Sequence, residues 1–249
     1  MSFGEKYNAM SKGGQILATI LNEIQNWVRP GVLTSEIDDY ARRLCLKYKV
    51  RPSFQGYDGY PAAICVSVND EVVHGIPGKR MIQEGDIVSL DFGVYLDGYH
   101  TDSAISFGVG NINLEKKKLL EVTLNSLLLG IEQAVVGNKI GDIGHAIQKY
   151  VEQNGFGVVR TLVGHSIGKK LHEEPMIPNF GSKSTGELIK EGMTLAIEPM
   201  VTAGQYPVYQ ASDGWTFLTK DSSDSAHFEH TIFVTDSLPI ILTEQKKQF

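Results

Sequence analysis

The stretch SLDFGVYLDGYHTDSAISF, residues 89–107, places an Asp97-Gly98 pair between two strand-like runs. Asp-Gly is a strong signal for a two-residue hairpin loop of type I′. With these residues as the loop, paired residue numbers sum to 195, and Asp91 and Asp102 become diagonal neighbours on one face. Diagonal neighbours lie about 7 Å apart at the backbone. A loop longer by one residue would place the two carboxylates on opposite faces.

Part of this region is repeated in the second half of the chain. EGDIVSLD at 84–91 corresponds to EGMTLAIE at 191–198, and Gly31 corresponds to Gly137, at offsets of 107 and 106. Several matches in order, at nearly constant offset, indicate a duplication into two helix-helix-strand units. The period is too long for a solenoid repeat. We therefore expect a single domain, 1–249, whose internal repeat runs over roughly 10–107 and 114–235.

The spacing of apolar residues predicts helices and strands in both halves. The first helix stops at Pro30-Gly31. The second opens at Ser35, with Asp38 in the position of a capping-box acid. The predicted helices cover 6–28, 35–47, 114–135 and 142–153, and the predicted strands cover 62–68, 87–96, 99–107, 157–163, 193–201, 206–210 and 228–234.

Composition narrows the function classes. The 249 residues are 42% hydrophobic and carry a net charge of -6, without a large Lys/Arg block, which argues against binding nucleic acid by charge. No apolar run approaches the roughly 20 residues of a transmembrane helix, and the N-terminus does not resemble a signal peptide. Cys45 and Cys65 are expected to be free thiols, as in a cytoplasmic protein. A monomer that does not bind membranes is the default expectation.

Buried acids on strands point to a metal site. Taken alone, the pair Asp91 and Asp102 is compatible with a solvated strand face. The repeat favours another interpretation, because Glu198 in LAIEPMV occupies the position equivalent to Asp91, and Glu229 lies in a similarly apolar run. Four such acids with His165 would balance two divalent cations, and this donor set suits Mn, Fe, Co or Zn. Paired metals of this kind suit hydrolysis through a shared hydroxide.

The stretch GHSIGKKLHEEP, residues 164–175, places His165 and His172 seven residues apart. Neither a straight helix nor a straight strand brings such a pair to one metal ion. We therefore expect a bend, with His165 as a ligand. His172, and His74 at the matching position of the first half, would stand beside the metals as hydrogen-bonding or proton-transfer groups. The other histidines are interpreted as structural: His100, His145, His227 and His230.

At these residues the sequence resembles the type I methionine aminopeptidases over essentially the whole chain. This resemblance implies a pita-bread α/β (α+β) fold with two pseudo-symmetric halves around a central antiparallel sheet. It also implies that His74 and His172 contact the scissile peptide and that Glu198 serves proton transfer. The implied dinuclear site consists of Asp91, Asp102, His165, Glu198 and Glu229. The strongest stretches are NDEVVHGIPG (69–78), SLDFGVYLDGYHTDS (89–103), GHSIGKKLHEEP (164–175), LAIEPMV (195–201) and SAHFEHTIFVT (225–235).

The same resemblance implies a pocket for the methionine side chain. The chain departs from many relatives at Asp58, Ser166 and Leu171, where they often have His, Gly and an aromatic residue, and these changes bear on the shape of the pocket. The chain begins close to its first predicted helix, so we expect the short form of the family. The pocket positions read Phe54, Tyr57, Tyr60, Cys65, Leu171 and Trp215, with Met200 nearby.

The implied activity is removal of the initiator methionine from nascent polypeptides with a small second residue. Nascent N-termini are then the substrates, and the ribosome is a candidate partner. One alternative is a peptidase of the same fold that cleaves Xaa-Pro bonds. Such relatives usually carry a further N-terminal domain, for which this chain has no room. Another is a non-catalytic binding module, but such modules lose ligands, whereas the expected ligands are all present here.

Overall fold

Helices pack in two pairs, one in each half of the chain. The computed structural model describes residues 3–244. In the first half, Leu17 and Ile20 pack with Ile37 of the next helix, and in the second half Leu127 packs with Ile147. The helices of this described region are α1 (Phe3–Trp27), α2 (Thr34–Tyr48), α3 (Leu114–Glu132) and α4 (Ile140–Gln153).

A series of strands follows each helix pair in the chain. One turn of 3₁₀ helix occupies Tyr57–Gly59. The strands are β1 (Arg51–Pro52), β2 (Cys65–Val68), β3 (Glu71–Val73), β4 (Ile87–Leu96), β5 (Tyr99–Gly108), β6 (Gly157–Val158), β7 (Gly164–Ser166), β8 (Glu173–Ile177), β9 (Thr194–Ile197), β10 (Met200–Thr202), β11 (Val208–Gln210), β12 (Phe217–Thr219), β13 (Ser225–His227), β14 (Glu229–Phe233) and β15 (Ile240–Ile241).

A nine-stranded antiparallel sheet organises the protein. Its order is β1-β4-β5-β14-β9-β7-β8, with β2 also pairing with β4 and β15 with β14. Two smaller sheets have the orders β13-β10-β6 and β11-β12-β3. Both helix pairs pack on this large sheet, α1 against β4 and β5, and α3 against β9 and β14. The first and second halves therefore each contribute strands to one central sheet.

The hairpin of β4 and β5 has the predicted register. Asp97 and Gly98 both have positive φ, 49° and 90°, as a type I′ turn requires. Asp91 lies opposite Ala104, and Asp102 lies opposite residue 93. The two carboxylates are therefore diagonal neighbours on one face, and the predicted pairing is confirmed.

The alternation of side chains along β4 separates the core from the functional face. Leu90 and Phe92 belong to the apolar cluster that joins the sheet to α1 and α2. Successive residues of a strand point to opposite faces. Asp91 therefore points away from the helices, toward the open face of the sheet.

Local geometry recurs at the predicted offset. Gly31 and Gly137 precede the second helix of each half, and both have positive φ, 93° and 96°. These matches support the proposal that the halves are repeats within one domain. Isolated bridges just beyond the two turns join Leu33 to Met81 and Lys139 to Leu188, again displaced by 106 and 107 residues.

The start of α2 was predicted one residue late and with the wrong capping acid. The helix begins at Thr34, and Glu36 accepts a hydrogen bond from the Leu33 N–H at 2.8 Å. Asp38 instead accepts a hydrogen bond from the Ala63 N–H at 2.7 Å. This carboxylate therefore ties α2 to the segment before β2 and does not cap its own helix.

Several predicted strands are shorter than expected or interrupted. The strand predicted over 193–201 is divided into β9 and β10 at Glu198-Pro199, because proline cannot donate a backbone hydrogen bond. The strand predicted over 157–163 ends at Val158. Cys45 and Cys65 are buried free thiols, as predicted. Within residues 3–244 no helix is long and apolar enough to span a membrane.

Candidate metal centre and substrate pocket

Five neighbouring strands bring acidic and imidazole groups to one cavity. The donor atoms of Asp102, His165 and Glu229 all lie within 4.8 Å of one another. The sheet order β4-β5-β14-β9-β7 arranges the contributions side by side. The expected ligands all line this cavity: Asp91 from β4, Asp102 from β5, Glu229 from β14, Glu198 directly after β9, and His165 from β7.

Burial makes ionisation of the acids unfavourable when no cation is bound. Desolvation raises the pKa of Asp102 to about 7. Desolvation, and secondarily neighbouring carboxylates, raise the pKa of Asp91, Glu198 and Glu229 well above their usual range. Such groups ionise at lower pH when a counter-charge compensates for the lost hydration.

The donor set fits divalent metal ions. No Lys or Arg of the described chain lines the cavity. Asp91 Oδ1 and Glu229 Oε1 are buried without any hydrogen-bond partner in the described part of the molecule. Buried carboxylates are normally paired or coordinate metals. Oxygen donors with a single imidazole suit Mn, Fe, Co or Zn.

His165 is oriented as a ligand by its backbone surroundings. Its Nδ1 lies 3.0 Å from the Ser166 carbonyl oxygen, which fixes the proton on Nδ1 and leaves Nε2 free. That Nε2 lies 3.6 Å from Glu198 Oε1, and burial lowers the pKa of the ring to about 3. The preceding Gly164 allows this close packing, because an added Cβ would lie 2.4 Å from the Ala196 carbonyl oxygen.

The chain bends between His165 and His172, as the spacing predicted. The two rings meet edge to face with centroids 4.2 Å apart. His172 lies at the exposed rim, and its Nδ1 is 2.8 Å from the Tyr57 hydroxyl. Desolvation lowers the pKa of His172, and the Asp58 charge opposes this shift. The ring is therefore held beside the acidic cluster with a hydroxyl group fixing its orientation.

His74 approaches the same cavity from the first half. It has positive φ, 59°, which is rare for a residue with a side chain and typical of functional positions. Its ring lies 6.4 Å from that of Trp215 and 6.0 Å from that of Phe217. Desolvation, with a contribution from His172, lowers the pKa of His74 to about 4. A second neutral imidazole thus lines the same cavity as His172.

An apolar pocket continues from the acidic cluster. The rings of Tyr60 and Trp215 meet edge to face at 5.1 Å, and the Tyr60 hydroxyl donates to the Gly75 carbonyl oxygen at 3.0 Å. Burial raises the pKa of the Cys65 thiol, which keeps it protonated and unreactive. Every residue predicted for this pocket lines the cavity: Phe54, Tyr57, Tyr60, Cys65, Leu171 and Trp215, together with Met200.

Comparison with known proteins identifies the family. A family profile described as metallopeptidase family M24 matches residues 8–236. The chain belongs to family M24. It is 50% identical over 234 residues to a methionine aminopeptidase from Clostridium perfringens. The aligned region covers 94% of each chain.

Solved structures agree with this M24 assignment. The crystal structure of a methionine aminopeptidase from Thermotoga maritima matches with a TM-score of 0.95 and 43% identity, covering 97% of each chain. Prolidase from Pyrococcus furiosus matches with a TM-score of 0.78 and 19% identity, over 98% of this chain and 65% of that one, which shows the fold alone. The predicted resemblance and fold class are confirmed.

Some lining residues of this M24 cavity were not predicted. Val73 precedes His74, and Leu162 and Val163 precede the Gly164-His165 pair. Their position next to predicted site residues could have identified them as lining residues. Met176 also lines the cavity but has no such signal. It comes close because β8 pairs with β7, where residue 176 lies opposite His165.

Three of the histidines interpreted as structural have partners outside the cavity. The Nδ1 atoms of His100, His145 and His230 lie within hydrogen-bonding distance of Ser53 Oγ, Gly181 O and Thr243 Oγ1. His227 differs, because its Nε2 lies 3.5 Å from Glu198 Oε2. Sequence reasoning missed this contact, because it interpreted His227 as structural and did not place it beside the acidic cluster.

Proposed function

We propose that this M24 protein is a metal-dependent aminopeptidase that removes N-terminal methionine before a small second residue. The observation that carries the proposal is one cavity in which a buried carboxylate cluster continues into an aromatic and sulfur-bearing pocket. Methionine aminopeptidases at 50% and 43% identity over nearly the full chain support the same activity. Prolidase shares only the fold at 19% identity, which favours this function over Xaa-Pro cleavage.

The acidic cluster would hold the catalytic metals. We infer two divalent ions, chosen from Mn, Fe, Co and Zn, because four buried acids without a cationic side chain in the described cavity call for that charge. When bound, such ions lower the pKa of water and polarise a carbonyl group. The residues that would hold them are Asp91, Asp102, His165, Glu198 and Glu229.

The apolar pocket would bind the methionine side chain. A thioether makes favourable, adaptable contacts with aromatic rings. Tyr60 and Trp215 supply ring edges, and Phe54 and Leu171 add apolar walls. The free amine of the substrate would approach the metal ions held by the adjacent cluster, which favours an unblocked N-terminus. The two parts of the cavity together select an unblocked N-terminal methionine.

The histidines and Glu198 would handle hydrogen bonds and protons. When the Tyr57 hydroxyl donates to His172 Nδ1, the neutral ring carries its proton on Nε2, available for donation. His172 and His74 would donate to the tetrahedral species and the leaving amide. Glu198 would accept a proton from the attacking water and pass it to the leaving amine.

Other properties remain predictions from the sequence. Nascent polypeptide N-termini are the proposed physiological substrates. Ribosome contact, a monomeric state and a cytoplasmic location have no further support from the geometry of the described residues.

A peptide panel tests the proposed specificity. The chelator-stripped protein would receive one metal at a time and be offered Met-Ala-Ser, Met-Lys-Ser and Ala-Pro-Ala at equal concentration. Products would be quantified by mass spectrometry. We expect release of methionine from Met-Ala-Ser, little from Met-Lys-Ser and none of alanine from Ala-Pro-Ala. Preferential cleavage of Ala-Pro-Ala would support the Xaa-Pro alternative, and no cleavage of any peptide would support a binding module.

A further inference from the structure

His227 is a buried imidazole that the proposed chemistry does not use. It is 1% exposed, and both ring nitrogens lack a hydrogen-bond partner among the described residues. Buried polar groups are normally paired, so an unpaired one at a functional site calls for an explanation. The nearest polar group is the Glu198 carboxylate of the acidic cluster.

The Glu198 carboxylate lies between two imidazoles. His165 Nε2 is 3.6 Å from Oε1, and His227 Nε2 is 3.5 Å from Oε2. The ring of His165 is fixed on its far side by the Ser166 carbonyl oxygen. Each carboxylate oxygen of Glu198 therefore faces its own ring nitrogen.

The main chains on both sides of this contact are held in place. Met200 pairs with His227 across β10 and β13, which sets the distance between the two segments. The backbone N–H of His227 donates to Ser106 Oγ at 2.9 Å, and the Ser106 hydroxyl donates to the backbone carbonyl oxygen of His227 at 2.7 Å. The Asn179 amide donates to the Glu198 carbonyl oxygen at 3.0 Å. The contact is thus built on fixed backbone, as precise functional geometry requires.

Only one protonation pattern leaves no ring N–H of His227 buried without an acceptor. A charged imidazole would bury an N–H at Nδ1 with no acceptor, so the ring is expected to be neutral. With the proton on Nε2, the single donor faces Glu198 Oε2. With the proton on Nδ1, the donor would be buried unpaired. Hydrogen bonds around catalytic groups are often long before substrate binds, so a separation of 3.5 Å is compatible with a functional bond.

We propose that His227 is a positioning residue that donates an Nε2–H hydrogen bond to Glu198 Oε2 and orients this carboxylate for metal binding and proton transfer. The inference rests on the role proposed above for Glu198. It adds a residue that acts through a ligand, in the way that outer partners orient metal-binding groups.

Two substitutions separate the hydrogen bond from the space that the ring fills. His227→Leu fills a similar volume without a donor, whereas His227→Gln retains an N–H donor. His145→Gln, on α4 with its ring near Gly181 O, is the matched control. Metal affinity would be measured by titrating Mn²⁺ into each stripped protein, and kcat and KM on Met-Ala-Ser. We expect His227→Leu to lose about 10- to 100-fold in metal affinity and in kcat, with little change in KM, and His227→Gln to recover most of both.

Contrary outcomes are defined for each variant. Unchanged affinity and kcat in His227→Leu would overturn the proposal, as would equal losses in His227→Leu and His227→Gln. If His227→Leu does not fold, the zinc-loaded wild-type protein supplies the answer through ¹⁵N NMR of its histidine rings. A proton on His227 Nε2 alone supports the proposal, and a proton on Nδ1 overturns it. The metal titration and the NMR measurement do not depend on peptide cleavage. If the proposed function is wrong, the wild-type protein will release no methionine, and this outcome is distinct from the results for His227.

Discussion

Binding of a divalent ion to the chelator-stripped protein should release protons. Desolvation raises the pKa of Asp102 to about 7 and raises those of Asp91, Glu198 and Glu229 well above their usual range. In the stripped protein these carboxyl groups therefore keep their protons to a higher pH than exposed carboxyl groups do. Carboxylates bind metal in the ionised form, so the protons must leave as the metal enters.

A lower bound on the release follows from the pKa of Asp102. A group with a pKa of about 7 holds about half a proton at pH 7, and the raised pKa values of the other three acids add to this. Complete ionisation would therefore release at least about half a proton. His165 contributes none, because burial lowers its pKa to about 3 and the ring is already neutral. The release should shrink as the pH rises, since more of the carboxylates are then already ionised.

Isothermal titration calorimetry measures this number directly. Mn²⁺ would be titrated into the stripped protein at pH 7 in buffers of different ionisation enthalpy, and the slope of binding enthalpy against ionisation enthalpy counts the protons. Glu115→Gln, at an exposed position in the first turn of α3, should leave the slope unchanged. Asp102→Asn should reduce it. A slope of zero in the wild type would refute the assignment of these buried acids as protonated metal ligands.

The same linkage sets the pH dependence of stability. A carboxyl group whose pKa is raised by folding stabilises the stripped protein fully below its unfolded pKa of about 4, and this contribution is lost as the pH rises through the folded pKa. Each such group costs about 1.4 kcal/mol per pH unit over that window. The gain in Tm on adding metal should therefore be larger at pH 8 than at pH 5. An equal gain at both values would contradict the argument.

Three further predictions concern the pocket and the two buried thiols. Trp215→Ala should raise KM for Met-Ala-Ser about tenfold, equivalent to about 1.4 kcal/mol of lost contact, without changing metal affinity in a calorimetric titration. Tyr57→Phe removes one hydrogen bond to His172, so kcat should fall about 3- to 10-fold with KM nearly constant; an unchanged kcat would show that the hydroxyl does not orient the ring. Burial raises the pKa of Cys45 to about 11 and also raises that of Cys65, so iodoacetamide should label the native protein slowly by mass spectrometry, and rapid labelling would contradict this.

Sequence reasoning succeeded where a local signal fixes the geometry. The Asp97-Gly98 turn determines the pairing of its strands, and so places Asp91 and Asp102 on one face. The repeat then pointed to Glu198, because an acid recurred at the equivalent position of an otherwise apolar strand. These inferences depend on neighbours in the chain or on a constant offset.

The contacts that were missed depend on pairing between distant segments. His227 comes beside Glu198 only because β13 pairs with β10 after the chain has passed Pro199. Met176 enters the cavity because the short strands β7 and β8 pair and place residue 176 opposite His165. Strands of three to five residues carry too little periodicity to be predicted from their own sequence.

Metal-dependent release of methionine tests the central claim most directly. The stripped protein would be offered Met-Ala-Ser, with Mn, Fe, Co and Zn added back separately, beside Asp102→Ala under the same conditions. We predict no release without metal, release with at least one metal, and none from a folded Asp102→Ala variant. Release that persists after chelation, or a folded wild-type protein that releases no methionine with any of the metals, would contradict the account.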